Sequence, residues 1–147
     1  MDMMDARRMV MAQMAASGKA FISGTFTVPN DATTYKLEFG RSFGKYLYFI
    51  ELTDESKTAL INSGSSNSKA VAYTGVYPKP AINGGVINYC ATVSRYTPSD
   101  GSSTGSSTNA YTVADSYISN NVKAVDVDGN YQFIKGYTYK YFVVSME

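Results

Sequence analysis

Residues 45–53 read Lys45-Tyr46-Leu47-Tyr48-Phe49-Ile50-Glu51-Leu52-Thr53, the strongest strand signal in the chain. Side chains alternate between the two faces of a β-strand, and in this run both faces carry apolar residues. One face would present Tyr46, Tyr48, Ile50 and Leu52, and the other Leu47 and Phe49. A strand that is apolar on both faces is typical of a sheet covered on both sides. We therefore expect residues 45–53 to form a central strand between two layers.

The same two-residue alternation recurs on both sides of this run. Upstream it predicts strands at residues 20–28 and 35–39, separated by the turn Pro29-Asn30-Asp31. Downstream it predicts strands at 69–77, 85–97, 110–119, 122–126 and 131–146. Residues 54–60 are expected to form one helical turn or part of a loop, and residues 62–68 a loop. About eight strands at this spacing predict a mainly β fold, an antiparallel β-sandwich or jelly-roll-like domain.

A low-complexity stretch separates two of these strands at residues 98–109, Pro-Ser-Asp-Gly-Ser-Ser-Thr-Gly-Ser-Ser-Thr-Asn. It has almost no apolar area to bury, so we expect an exposed, mobile tip. Two interpretations stay open: a tolerated surface insertion, or a loop that reads a receptor.

The N-terminal segment differs from the rest of the chain because methionines and arginines crowd into residues 2–16. On a helical wheel one stripe holds Met3, Val10 and Met14, flanked by Met4 and Met11, with Asp5 and Arg8 roughly opposite. Asp2 is placed to cap the helix. A helix of this length is marginal in isolation. We expect it to pack either on the protein's own sheet or on a neighbouring subunit.

This pattern predicts two parts of the chain. Residues 1–18 would be a docking helix that ends in a Ser17-Gly18 hinge, and residues 19–147 the β domain. Methionine is flexible and polarizable, which suits contact with an irregular partner surface. Our candidate contact residues in the helix are Met3, Arg7, Met9, Val10, Met11 and Met14.

The last predicted strand carries a tyrosine ladder, with Tyr137, Tyr139 and Tyr141 on one face. Three interpretations stay open: a packed cross-strand face with hydroxyls at its wet edge, a subunit interface, or a sugar-stacking platform. The chain has no Trp, which weakens the sugar platform because Trp offers the largest stacking face. We take these three tyrosines as a second candidate interface.

Conventional catalytic motifs are missing from the sequence. The chain has no His, the usual general base and the commonest metal ligand. Carboxylate pairs remain possible, with Glu38 and Glu51 facing each other across a hairpin, or Asp115 and Asp126 on neighbouring strands, but nothing specifies their separation. We expect no enzymatic activity, no catalytic residue and no cofactor.

Residues 126–130, Asp-Val-Asp-Gly-Asn, resemble the opening of a calcium loop. The later bidentate Glu of that motif is missing, since the chain continues directly into a predicted strand. Asp128-Gly129 between two strand-like runs predicts a hairpin turn of type I′ or a related type, and no metal site.

Charge and cysteine content limit the partners. The net charge of +1 with interspersed signs argues against nucleic acid, and no apolar run has the length of a membrane span. The single cysteine, Cys90, lies in an apolar run, which predicts a buried structural thiol and excludes an internal disulfide.

The opening Met1-Asp2-Met3-Met4-Asp5-Ala6-Arg7-Arg8-Met9-Val10-Met11-Ala12 resembles the N-termini of small structural proteins of phages and prophages of gut bacteria. The resemblance implies a virion protein, made in the host cytoplasm, whose N-terminal segment anchors to a capsid, tail or baseplate partner. It also implies a β-rich domain that projects outward, often as a homo-oligomer. The chain shows neither a long coiled shaft nor fibre repeats, which favours a decoration, adaptor or short-fibre protein. The alternative is a carbohydrate-binding module that reads a surface glycan through the tyrosine face or residues 98–109.

Overall fold

The fold is described from a computed structural model, which describes residues 3–16, 18–79, 81–82, 85–86 and 91–147. Within these residues there are two helices, α1 (Met3–Ala16) and α2 (Asp54–Ser63). The strands are β1 (Phe21–Thr27), β2 (Thr34–Glu38), β3 (Tyr46–Leu52), β4 (Lys69–Tyr77), β5 (Ala81–Ile82), β6 (Gly85–Val86), β7 (Ala91–Thr97), β8 (Ser102–Thr108), β9 (Thr112–Val113), β10 (Tyr117–Lys123), β11 (Phe133–Ile134) and β12 (Thr138–Ser145).

The strands form a sandwich of two main sheets. The larger sheet has the order β1-β12-β3-β4-β7-β8, and every neighbouring pair in it is antiparallel. The smaller sheet has the order β11-β10-β2, with β9 also paired to β10. Strands β5 and β6 pair with each other in a third, two-stranded sheet. The predicted mainly β sandwich with a short N-terminal helix is confirmed.

Strand β3 lies in the middle of the larger sheet, between β12 and β4, as its sequence predicts. The face directed at the smaller sheet, here the inner face, carries Tyr46, Tyr48, Ile50 and Leu52, which are all buried in the main core. On the opposite, outer face, Phe49 and Val144 form a second buried cluster, with Leu47 and Phe142 packed against it. Helix α1 covers this side of the sheet at β3 and β12.

Residues 54–63 form a ten-residue helix, α2, where the sequence predicted one helical turn or a loop. The Thr53 side chain caps it by accepting a hydrogen bond from the Ser56 N–H, and Asp54 and Glu55 place negative charge in the first turn. Gly64 ends the helix in the left-handed conformation, at φ 62°. The predicted loop at 62–68 is therefore shorter, because its first two residues belong to α2.

The predicted mobile tip at residues 98–109 is wrong for most of its length. Residues 102–108 form β8, which pairs with β7 along its whole length, from Ala91 opposite Thr108 to Thr97 opposite Ser102. Only the turn before it and Asn109 after it lie outside a strand. Backbone pairing needs no apolar side chain, so a Ser/Thr/Gly run can form the edge strand of a sheet whose apolar residues lie elsewhere.

Three predictions fall on residues outside the described part of the chain. These are the helix cap at Asp2, the Ser17 half of the hinge and the buried thiol of Cys90. Among the residues that are described, no helix is long and apolar enough to cross a membrane.

Candidate functional site

Helix α1 carries the residues predicted to contact a partner. Met9 and Val10 are 49% and 50% exposed, although the helix lies against the sheet. Positions 3, 7, 11 and 14 belong to the helical backbone, and their side chains lie outside the described atoms. The structure therefore places two of the predicted contact residues, Met9 and Val10, at the surface.

Arg8 attaches α1 to the sheet. Its guanidinium donates a hydrogen bond to Glu51 Oε1 and lies over the Phe49 ring, 5.2 Å from the ring centroid. Arg8 Nη2 also lies 3.9 Å from Asp5 Oδ1, on the preceding turn of the same helix. The sequence singled out Arg7 rather than Arg8, so this anchor is a residue that the sequence argument missed.

Glu51 is a buried carboxylate, 3% exposed, with three cationic partners. Besides Arg8, Lys57 Nζ lies 3.2 Å from Oε2 and Lys140 Nζ 3.1 Å from Oε1. A buried carboxylate without partners is strongly unfavourable, and pairing with these cations offsets the cost of burying Glu51. The three cations come from α1, α2 and β12, and Glu51 thus connects both helices to the larger sheet.

A groove of about 380 Å³ opens beside this charged cluster. Its floor follows one row of the sheet, in which Glu51 is opposite Ala72, Ala72 opposite Ser94, and Ser94 opposite Gly105. The groove is lined by Asp5, Arg8, Glu51, Lys57, Val71, Ala72, Ser94, Arg95, Ser103, Thr104 and Gly105. Cations and hydroxyl groups, which suit a polar ligand, therefore line its walls.

Neither of the carboxylate pairs suggested by the sequence lies on neighbouring strands. Glu38 is in β2 of the smaller sheet, opposite Tyr117, whereas Glu51 is in the larger sheet. Asp115 and Asp126 lie outside the strands, in the segments before and after β10. Across the described residues, no group of three or more His, Cys, Asp or Glu side chains could hold a metal ion.

The three tyrosines of the ladder face inward. Tyr139 is fully buried, and its hydroxyl oxygen accepts a hydrogen bond of 2.7 Å from the Ile134 N–H. Tyr137 and Tyr141 are half-buried and pack against the same core. A Cβ at Gly24 would lie 2.9 Å from Tyr141 Oη, so β1 has a glycine where this ring crosses it. The full burial of Tyr139 favours the packed cross-strand face among the three interpretations, while the interface role of the ladder stays a prediction.

The loop that resembles a calcium site holds the ammonium of Lys69 instead. Lys69 is buried, and its Nζ donates to the carbonyl oxygens of Ala124 at 2.8 Å, Val127 at 2.5 Å and Gly129 at 3.5 Å. Burial lowers the pKa of Lys69, while the nearby carboxylates of Asp128 and Asp126 act in the opposite direction.

The predicted type I′ hairpin at Asp128-Gly129 is wrong. The strands on its two sides, β10 and β11, pair in parallel, with Val122 opposite Phe133. A type I′ turn needs positive φ at both central residues, and Gly129 is not among the glycines with positive φ. The segment is a longer connection that wraps around the Lys69 ammonium.

No protein-family model, no curated protein and no solved structure matches the chain. The geometry therefore defines a class only: a β-sandwich with a helix on its outer face, where Arg8 is an anchor among the described side chains.

Proposed function

We propose that this chain is a non-enzymatic structural protein, a virion subunit that assembles with itself and docks on a neighbouring virion protein. The observation that carries the proposal is the exposure of Met9 and Val10 on a helix whose Arg8 is directed at the sheet. Full burial of an exposed apolar side chain is favourable by about 1.5–3 kcal/mol, and roughly half of that applies to side chains that are already half-buried. Adjacent residues of a helix point about 100° apart, so Met9 and Val10 offer a partner two adjoining parts of the helix surface.

The position of α1 supports this role. The helix lies outside the sandwich core and reaches the sheet through Arg8, over a small cluster around Phe49. The main core is built from the two sheets, with its aromatic residues enclosed between them. A domain that is stable through its own core can present a peripheral helix to a neighbour.

The virion assignment rests on the resemblance of the first twelve residues to small structural proteins of gut phages and prophages. A compact sandwich with an N-terminal docking helix suits a capsid decoration protein, a tail or baseplate adaptor, or a short fibre. In this proposal the protein is made in the host cytoplasm and functions in the virion.

The proposal is tested by the double substitution Met9→Asp, Val10→Asp, with solution mass measured by light scattering after size exclusion. We expect the wild-type protein to form a defined oligomer and the double variant a monomer with unchanged circular dichroism. Ile61→Asp is the matched control, because Ile61 is 54% exposed on the other helix. A double variant that keeps the wild-type mass would contradict the proposal.

A carbohydrate-binding module is the second candidate, and the groove beside Glu51 favours it. The Ser/Gly-rich stretch contributes Ser103, Thr104 and Gly105 to that groove, opposite the cations Arg8 and Lys57. Sugar stacking on the tyrosine ladder is not favoured, because the Tyr139 ring is buried. Binding of the protein on a glycan array, lost on Thr104→Arg with the fold intact, would support this function. An array without any binding would count against it.

A further inference from the structure

The groove beside Glu51 crosses the larger sheet from β3 to its edge at β8. Glu51, Ala72, Ser94 and Gly105 lie side by side on successive strands, and residues in such a row share one face of the sheet. The strand spacing of about 4.8 Å makes this floor about 14 Å long. Its volume of about 380 Å³ is typical of a small-molecule site. The groove therefore has room for an elongated ligand that is larger than one sugar ring.

Gly105 keeps the β8 end of the groove open. It lies inside a strand without a positive φ, and a Cβ there would meet no atom nearer than the Val93 carbonyl oxygen, at 3.9 Å. Neither the backbone conformation nor the packing thus requires glycine, although glycine weakens the interior of a strand. A glycine of this kind often marks the place where a ligand approaches a sheet closely.

The Glu51 end of the groove has an excess of positive charge. Glu51 carries one negative charge and faces Arg8, Lys57 and Lys140. Asp5, 3.9 Å from Arg8, offsets one of the two remaining positive charges, so one is left. The Lys57 side chain is 37% exposed, and its hydrogen bond to Glu51 uses one of the three donors of an ammonium. Lys57 can therefore receive an anionic group from a ligand.

The remaining polar groups of the groove indicate the class of ligand. The main chain of the floor is already paired in the sheet, whereas an extended peptide is bound mainly through main-chain hydrogen bonds at a free edge. Ser94 on the floor offers a side-chain hydroxyl, and so does Ser103, on the same face of β8 as Gly105. Hydroxyl groups both donate and accept, which suits the hydroxyls of a saccharide.

We propose that this groove binds an acidic saccharide, with the ligand carboxylate beside Lys57 and the sugar rings along the floor towards Gly105. The proposal rests on the second candidate function, the carbohydrate-binding module, and specifies its ligand. It does not depend on assembly through α1. Uronate and sialate residues share the required chemistry, because both carry a carboxylate on a pyranose ring.

The ligand class is tested on an array of uronate-containing and sialate-containing oligosaccharides, each printed beside its methyl ester. The ester keeps the rings and hydroxyls but carries no charge. We expect the protein to bind acidic members, and esterification to lower the affinity roughly tenfold or more because the charge-assisted hydrogen bond to Lys57 is lost. The set that binds, uronates or sialates, identifies the source of the carboxylate.

The place of binding is tested by Gly105→Val, which puts a side chain into the groove. Valine favours a strand and meets no close atom there, so the fold should be retained while the affinity falls roughly tenfold or more. Ser107→Val is the matched control, because Ser107 lies on the same face of β8 but does not line the groove. Circular dichroism and urea denaturation check the fold of both variants.

The role of the cation is tested by Lys57→Gln, which should lower the affinity for the acidic saccharide roughly tenfold or more and leave that for the methyl ester unchanged. Lys140→Gln is the matched control. It also removes one cation from Glu51, but Lys140 does not line the groove. If Lys57→Gln does not fold, Gly105→Val against Ser107→Val decides the site alone.

The outcomes separate this proposal from the function on which it rests. If the esters bind as tightly as the acids, the acidic ligand is overturned, while carbohydrate binding still stands. If acidic saccharides bind and Gly105→Val binds them as tightly as wild type, the groove is not the site and the proposal is overturned. If no member of the array binds, both the proposal and the carbohydrate-binding function are overturned.

Discussion

The ammonium of Lys69 lies where a bound cation would lie in a carbonyl-lined loop. It donates to main-chain oxygens on both sides of Asp126, and thereby connects β4 to the segment between β10 and β11. The ammonium is buried away from water, and the carbonyl oxygens of Ala124 and Val127 accept the hydrogen bonds that it would otherwise make to water.

Substitution Lys69→Met should therefore lower the free energy of unfolding by about 2–4 kcal/mol. Met fills a similar volume but donates no hydrogen bond, so the Val127 carbonyl oxygen would lose this donor, while the Ala124 carbonyl oxygen keeps the Val127 N–H. Urea denaturation followed by circular dichroism measures the effect. Lys45→Met, at an exposed lysine, is the control and should change stability by less than about 0.5 kcal/mol. Equal effects of the two substitutions would show that the ammonium does not stabilise the loop.

At the level of elements, α2 combines a side-chain cap at its start with one fully buried apolar residue. Leu60 is its buried apolar residue, while Thr53 satisfies one N–H of the first turn. Thr53→Ala should cost about 1 kcal/mol of stability in urea denaturation. Thr58→Ala, at an exposed position within α2, is the matched control. If Thr53→Ala costs no more than Thr58→Ala, the cap has no measurable role.

Amide hydrogen exchange tests whether β8 is a paired strand. It is an edge strand, and in an antiparallel pair alternate residues exchange hydrogen bonds with the neighbouring strand. Amides of residues 102–108 should therefore be protected at every second position. Residues 40–42 in an exposed turn provide the fast-exchanging reference. Uniformly fast exchange over residues 102–108 would show that this segment is the mobile tip that its composition predicts.

At the scale of the whole molecule, the core contains ionisable rings. Burial raises the pKa values of Tyr46, Tyr73 and Tyr139 above the ordinary value of 10.0. The unfolded chain would release these protons near pH 10, whereas the folded protein retains them. The associated stability is fully present below pH 10 and is lost as the pH rises further.

We expect the free energy of unfolding to fall above pH 10 by about 1.4 kcal/mol per pH unit for each such tyrosine. Urea denaturation at a series of alkaline pH values measures this slope. Tyr139→Phe should reduce the slope by the contribution of one tyrosine, about 1.4 kcal/mol per pH unit. Tyr117→Phe, at the contact with Lys36, serves as the control. A stability that is constant well above pH 10 would contradict the burial of these hydroxyl groups.

The sequence predicted the sandwich well where side-chain periodicity reflects burial. Strand β3 is the clearest example, because its residues on both faces are apolar and both faces are covered. Periodicity fails for β8, whose pairing is made by the backbone of β7. It also fails at Asp128-Gly129, where the chain wraps around Lys69 instead of turning into a hairpin.

The candidate site was only partly predictable. Val10 follows from the helical pattern and Met9 from the methionine-rich composition of the segment, and the structure shows both exposed. The Glu51 cluster depends on Arg8, Lys57 and Lys140, which three different elements bring together. Spacing along the chain does not reveal such a cluster. A Glu inside an otherwise apolar central strand was the available signal, since a buried carboxylate requires cationic partners.

The solution mass of the 147-residue chain, compared with a chain that begins at Gly18, tests whether α1 joins subunits. Light scattering after size exclusion gives both masses, and circular dichroism reports whether the β domain of the truncated chain is folded. We predict a defined oligomer for the 147-residue chain and a folded monomer for the truncated one, because in the proposed assembly α1 provides the contact between subunits. The same oligomeric state for the two chains, or a monomeric 147-residue chain, would contradict this role of α1.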